Sequence, residues 1–307
     1  MSDVPPSLAP AGRVRPSADP MPALDAVLAK AGSENFPVAL GILPRRLRAE
    51  LMAIYGFARL VDDIGDETAA DRFALLDRVD AALDALFAGK DVDIRAVAAL
   101  AAGVRAGHFA EEPLRRLVEA NRIDQRVNRY DTFNQLRDYC SYSADPVGRL
   151  VLGALGADTP DLRVLSDRVC TGLQIVEHLQ DVAEDLHHRD RIYLPAEDMA
   201  RFGVTEADLR APQATSRVRA LISFEASRAR ELFTAARPLT RAIPGRAKLA
   251  VAAFAAGGLA ALHAMARVDY DVLAHRCRPK KSQLLLETLR IVTGMPDNRA
   301  PHPEFGR

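Results

Sequence analysis

An excess of charge of either sign is missing from this chain: 41 Lys and Arg residues stand against 41 Asp and Glu in 307 residues. With no basic stripe interleaved with aromatics, there is no electrostatic footprint for a nucleic acid, and no such partner is expected. Cysteine is scarce too. Cys140, Cys170 and Cys277 are an odd number without metal-like spacing, which argues for small buried side chains in a reducing cytoplasm. Period-two alternation, fixed-period repeats and Gly/Ser linkers are all absent. No Gly-x-Gly-x-x-Gly follows a strand, so no βαβ nicotinamide site is expected. The opening "MSDVPPSLAPAGRVRPSADP" lacks the apolar h-region of a signal peptide and reads as a disordered tail over residues 1–20. The most apolar run, "LAVAAFAAGGLAALHAMA" (249–266), is nearly long enough to cross a bilayer. Ala and Gly dominate it and His263 interrupts it, so a close-packed interior helix is expected.

What the chain does have is helical periodicity from about residue 21 to residue 293. Its hydrophobic fraction of 49% suffices for one large core or two modest ones. In "RFALLDRVDAALDALFAG" (72–89), Phe73, Leu76, Val79, Leu83 and Leu86 recur at steps of three and four. Helical patterns follow at 111–127, 162–190, 215–236, 247–274 and 280–292, separated by turn signals such as "GADTPD" (156–161) and "RAIPGR" (241–246). The expectation is an all-α domain of roughly ten helices over residues 21–295, with a C-terminal tail at 296–307.

Two acidic stretches stand out against that pattern. In "YGFARLVDDIGDE" (55–67), Asp62 and Asp66 are i and i+4 and share a helix face, with Arg59 one turn earlier on the same side. In "LQIVEHLQDVAEDLHHRDRIYLP" (173–195), Glu177, Asp181 and Asp185 stand at i, i+4 and i+8, and Gln174 extends the stripe. One acidic helix face is usually just a solvated face. Here both stretches sit among residues that suit a buried helix, and the same spacing occurs twice. Facing each other, the stripes would enclose several carboxylates with hardly any compensating protein charge. Mg²⁺ resolves this: it takes one or two carboxylates and completes its shell with substrate phosphate oxygens. A diphosphate would then be clamped between two acidic helices, with Arg59 and Arg191 touching it directly. A di-iron bundle is the sharper rival, but it wants two Glu-x-x-His pairs, and only Glu184/His187 fits.

These residues resemble the squalene/phytoene synthase family of head-to-head trans-isoprenyl diphosphate synthases, from Gly32 to about Arg290. The resemblance implies an isoprenoid synthase bundle around a deep apolar cavity, with a Mg²⁺–diphosphate site at its mouth. It implies catalytic roles for Asp62, Asp66, Asp181 and Asp185, and metal ligation by these four and Glu177. Arg59 and Gln174 carry over as substrate-binding residues, as do Arg191 and Tyr193 of "RIYLP". "YCSYSADPVGRLVL" (139–152) resembles the family's cavity-lining helix, with Tyr139, Ala144, Val147 and Gly148 in matching positions. Tyr139 and Phe36 would stabilise positive charge through their ring faces. Within the family, residues 32–67 are most similar to the hydroxysqualene synthase branch of bacterial hopanoid biosynthesis. That branch is implied to convert presqualene diphosphate and water to hydroxysqualene and diphosphate, with Ser33, Asn35 and Phe36 in the segment that contacts substrate.

This chain departs from the family pattern at Glu177, where Asn is usual, and at Gln180, where Arg is frequent. A late-helix Tyr of the enzymes that make presqualene diphosphate would fall near Gly258, and no Tyr is there. Two alternatives stay open: condensation of two isoprenyl diphosphates (farnesyl diphosphate to presqualene diphosphate, or squalene and phytoene synthesis), and a non-catalytic assembly or binding protein. The resemblance further implies functional coupling to a presqualene diphosphate synthase. The greasy substrate makes peripheral membrane contact compatible with a cytoplasmic protein. The basic cluster "HRCRPKK" (275–281) suits diphosphate, anionic lipid or simple solvation.

Overall fold

Pro44 opens the first described helix. Its ring holds φ at −53° with ψ at 149°, an extended cap from which α1 (Arg45–Asp66) runs. The computed structural model describes residues 21–22 and 43–295. The tails expected at 1–20 and 296–307 lie outside the described residues, as do Ser33, Asn35 and Phe36. Along α1, Phe57, Leu60, Val61 and Ile64 are 0% exposed, so the stretch carrying the first acidic motif is a buried helix, as its apolar spacing predicts.

The helix starts follow from local capping chemistry. Asp71 accepts from the Ala74 amide at 3.1 Å and opens α2 (Arg72–Phe87). Single-turn helices α3 (Arg95–Ala98) and α4 (Ala101–Arg105) lead to α5 (Glu111–Ile123), with Pro113 in its first turn. Thr132 caps α6 (Phe133–Ser143), and α7 (Asp145–Ala154) follows at once. Thr159 caps α8 (Pro160–Gln180), which continues into α9 (Val182–Arg189). Then come α10 (Ala196–Phe202), α11 (Glu206–Leu209) and α12 (Ser216–Leu232). After one 3₁₀ turn the chain ends in α13 (Ala236–Ala242), α14 (Ala247–Arg267) and α15 (Lys281–Thr293). Among the described residues there is no strand, only a bridge between Arg129 and Ile192. The all-α class holds.

Two apolar cores share α7. Leu150 belongs to the core of α1, α2 and α5, together with Leu76 and Leu114. Leu152 belongs to the core of α8, α12 and α14, together with Ile175, Ile222 and Met265. The apolar run at 249–266 is interior: α14 is long and apolar enough to span a membrane, yet 61% of its most apolar window is buried.

Two expected continuous helices are broken. The 139–152 segment splits at Ala144 (φ −116°, ψ −50°), because Pro146 has no amide to continue the ladder. The 162–190 pattern splits at Asp181 (φ −106°, ψ 10°). The α14 pattern also stops early, at Arg267, where Asp269 and Tyr270 turn left-handed with φ of 52° and 56°.

Candidate active site

Asp62 and Asp66 do share one face of α1, and each has found a different partner. Asp62 accepts from Asn121 Nδ2 of α5 at 3.3 Å. Gly65 makes that approach feasible: a Cβ there would lie 2.1 Å from Asn121 Oδ1. Asp62 is exposed, yet protein surrounds it closely enough that desolvation, aided by Asp66 and Asp124, pushes its carboxyl up to about 7. Asp66 bonds Arg191 Nη1 at 2.6 Å and lies 3.3 Å from Arg189 Nε. Arg59 turns elsewhere, to Asp63 at 2.8 Å and Glu67 at 3.1 Å.

The second motif comes to meet the first. Arg189 Nη1 is 3.1 Å from Asp185 Oδ1, so one guanidinium joins Asp185 to Asp66. The expected lack of compensating charge is therefore wrong for this pair: Arg189 and Arg191 supply it. Asp185 is still raised to about 7, by burial and then by Asp181. Asp181 is raised too, by burial and Glu184, with Arg189 and Arg276 acting against the rise. The break at Asp181 ends the straight stripe. Glu177, Asp181 and Glu184 face an open-mouthed cleft of ≈ 1150 Å³, whereas Asp185 does not line it. Phe254 and Gly257 of α14 form a second wall, and His275, Arg276 and Arg278 a third. The basic cluster is thus no merely solvated patch. Gln180 donates to the Cys277 carbonyl at 2.5 Å and ties α8 to that basic loop.

Beside the acidic groups lies a ring cluster. Tyr139 and Tyr193 donate their hydroxyls to the two oxygens of Asp124, at 2.7 and 3.1 Å. Their ring centroids are 5.6 Å apart, and Tyr130 stacks on Tyr193 and lies tilted against Tyr139. Burial lifts Asp124 to about 6, with Arg191 and the two hydroxyls opposing. His178 stacks on Tyr193 at 3.7 Å and is driven down to about 3 by burial and by Arg191, so its ring is neutral. Gln174 extends this ring cluster and not the acidic stripe: its Nε2 is 3.2 Å from His178 Nε2. Ala144, Val147 and Gly148 do not line the cleft. Ala144 is the buried helix junction, Val147 packs on the first core, and Gly148 lets Ser166 and Cys170 of α8 close on α7.

Residues 29–283 match the squalene/phytoene synthase family. The chain belongs to that family. A hydroxysqualene synthase of Zymomonas mobilis is 33% identical over 257 residues, 82% of this chain and 84% of that one. A phytoene synthase of Arthrospira platensis is 34% identical over 224 residues, 66% of this chain and 70% of that one. The squalene synthase HpnC crystal structure from Alicyclobacillus acidocaldarius superimposes with a TM-score of 0.74 at 42% identity, covering 80% of this chain and 94% of that one. As a squalene/phytoene synthase, this chain is an isoprenoid-synthesising enzyme with the all-α isoprenoid synthase fold.

The donor set suits the divalent cation on which this family generally depends. Asp62, Asp66, Asp181 and Asp185 offer hard oxygens, and burial disfavours the ionised form of Asp62, Asp181 and Asp185, a strain that a bound Mg²⁺ relieves. Among the described residues, no three carboxyl, imidazole or thiol groups already stand at metal-binding spacing. Glu184 and His187 find no second pair, so the di-iron rival has no site there.

Sequence reasoning missed Asn121, Asp124, His178 and Arg189. Asn121 carried a legible signal, since it stands where Leu114, Leu117 and Val118 predict the next apolar stripe position. Arg189 carried none. Basic residues at a helix C-terminus are ordinary partners of the macrodipole.

Proposed function

We propose that this family member is a hydroxysqualene synthase, converting presqualene diphosphate and water to hydroxysqualene and diphosphate. The observation that carries the diphosphate chemistry is the meeting of α1 and α9 at Arg189, which brings Asp66 and Asp185 to one guanidinium. The choice of reaction is supported by the likeness to hydroxysqualene synthases and by Gly258. A Cβ there would lie 2.3 Å from Phe233 Cζ, so any side chain at the late-helix position of the condensing enzymes' Tyr would have to displace that ring.

The residues divide the work as follows. Asp62, Asp66, Asp181 and Asp185, with Glu177 as a further oxygen donor, would hold Mg²⁺, which would supply charge neutralisation for a departing diphosphate. Arg276 and Arg278 line the same cleft as Glu177 and Asp181 and suit the same anion. Tyr139 and Tyr193, their hydroxyls fixed on Asp124, keep hydroxyl lone pairs away from a carbocation, and Tyr139 would offer it a ring face. His178, neutral and stacked, adds no competing positive charge. Phe254 gives the cleft an apolar wall, the kind of surface on which a cation is spared competing nucleophiles. Water adds to the cation, its proton leaves with the diphosphate or solvent, and the alcohol forms. The substrate comes from a presqualene diphosphate-forming enzyme, and its greasiness favours handover at a membrane surface.

The test is incubation with Mg²⁺ and either presqualene or farnesyl diphosphate, followed by product analysis. Hydroxysqualene from presqualene diphosphate, with nothing from farnesyl diphosphate, is expected. Presqualene diphosphate accumulating from farnesyl diphosphate would overturn this reading in favour of head-to-head condensation. The similarity to the Arthrospira phytoene synthase favours that second reading. Silence with both substrates would leave a binding role.

A further inference from the structure

We propose that Arg189 is a displaceable counter-ion that pairs the two acidic motifs until a divalent cation and a diphosphate arrive together. The inference rests on the metal–diphosphate reading above. Its geometric basis is two distances: Nε to Asp66 Oδ2 at 3.3 Å and Nη1 to Asp185 Oδ1 at 3.1 Å. One side chain thus fills the gap between α1 and α9 and engages a carboxylate oxygen on each side. A divalent cation needs the same oxygens, so the two occupancies exclude one another.

Arg189 is built to leave. It is the last residue of α9, Asp190 beyond it turns left-handed at φ 51°, and its side chain is 27% exposed. Arg191 is built to stay. Its side chain is 7% exposed, its amide bonds the Asp185 carbonyl at 3.1 Å, and its guanidinium reaches Asp66 and lies 4.0 Å from Asp124. A metal ion arriving alone must strip Arg189 of both carboxylates and offer it nothing. With a diphosphate present, the freed guanidinium gains an anion it binds well. Metal and diphosphate therefore load cooperatively.

The experiment measures Mn²⁺ binding by electron paramagnetic resonance at pH 8.5, with and without inorganic diphosphate. In the unaltered protein, diphosphate should tighten Mn²⁺ binding. In Arg189→Gln, Mn²⁺ alone should bind roughly tenfold tighter than in the unaltered protein, and the gain from diphosphate should shrink by a similar factor. Arg189→Lys, whose point charge cannot fork to both carboxylates, should fall between the two. If Arg189→Gln binds Mn²⁺ no tighter while Asp66→Asn and Asp181→Asn bind it more weakly, the counter-ion proposal is wrong and the metal site survives. If the two aspartate variants also bind Mn²⁺ as the unaltered protein does, the metal–diphosphate reading itself fails, and the proposal with it.

Discussion

Replacing Gly65 by Ala sets two opposed effects against each other at the centre of the first acidic motif. In an unobstructed helix interior the change stabilises by roughly 0.5–1 kcal/mol, because glycine loses more backbone freedom on folding. Here the new methyl would sit 2.1 Å from Asn121 Oδ1, 3.0 Å from its Cγ and 3.4 Å from its Cβ. The amide cannot step aside freely, since Nδ2 donates to the Leu117 carbonyl at 3.2 Å and to Asp62 at 3.3 Å. Losing a neutral hydrogen bond costs about 0.5–1.5 kcal/mol and one to a carboxylate about 1.5–3, and both bonds here are long enough to count near the lower figures. Net destabilisation of about 1–2 kcal/mol follows, together with a displaced Asp62. Urea denaturation followed by circular dichroism measures the first effect, and turnover measures the second. Removing the obstacle as well, in Gly65→Ala/Asn121→Ala, should give a loss smaller than the sum of the single losses by about 1 kcal/mol. A Gly65→Ala protein more stable than its parent, with full turnover, would refute the packing argument.

Three more outcomes are expected. Asp62→Ala and Asp181→Ala should each lower turnover by at least about 10²-fold while circular dichroism shows an unchanged helical fold. The metal-free protein should grow more stable as pH falls from 8.5 to 6.5. Asp62, Asp145 and Asp185 at about 7, and Glu225 at about 8, hold protons in the folded state that the unfolded chain has released. Their stabilisation is full below the ordinary carboxylate range and is lost as pH rises through these raised values. His178, lowered to about 3, is neutral in both states over most of that window and does not mask the trend. A melting temperature flat or rising towards pH 8.5 would contradict it. Finally, neighbouring glycines on α14 should respond with opposite signs. Gly257→Ala meets nothing within 4 Å and should stabilise by up to about 1 kcal/mol. Gly258→Ala drives a methyl to 2.3 Å from Phe233 Cζ and should destabilise by about 1–3 kcal/mol in thermal melts.

The helices were legible because their apolar residues recur every three to four positions, while the caps Asp71, Thr132, Thr159 and Thr215 at their starts went unread. The acidic residues of the site were legible because carboxylates on buried faces are costly enough to demand an explanation. Side-chain direction was not legible. Arg59 sits at the right spacing to reach Asp62, yet it pairs with buried Asp63 and exposed Glu67. Breaks inside long patterns were equally hidden, since the 162–190 segment keeps its apolar period straight through Asp181. Partners across the fold, such as Asp124 for Tyr139 and Tyr193, depend on packing between helices that no local spacing encodes.

The interruption at Asp181 has a mechanical consequence. Its amide still bonds the Glu177 carbonyl at 3.0 Å, and its own carbonyl still accepts from Asp185 at 2.8 Å. The hydrogen-bond ladder is thus kept across the bend on both sides of this residue. Successive turns of one continuous rod are thereby aimed at different compartments, the upstream acids at the broad cleft and Asp185 at α1. A small pivot about residue 181 would change the spacing between those two sets of oxygens without unwinding either helix.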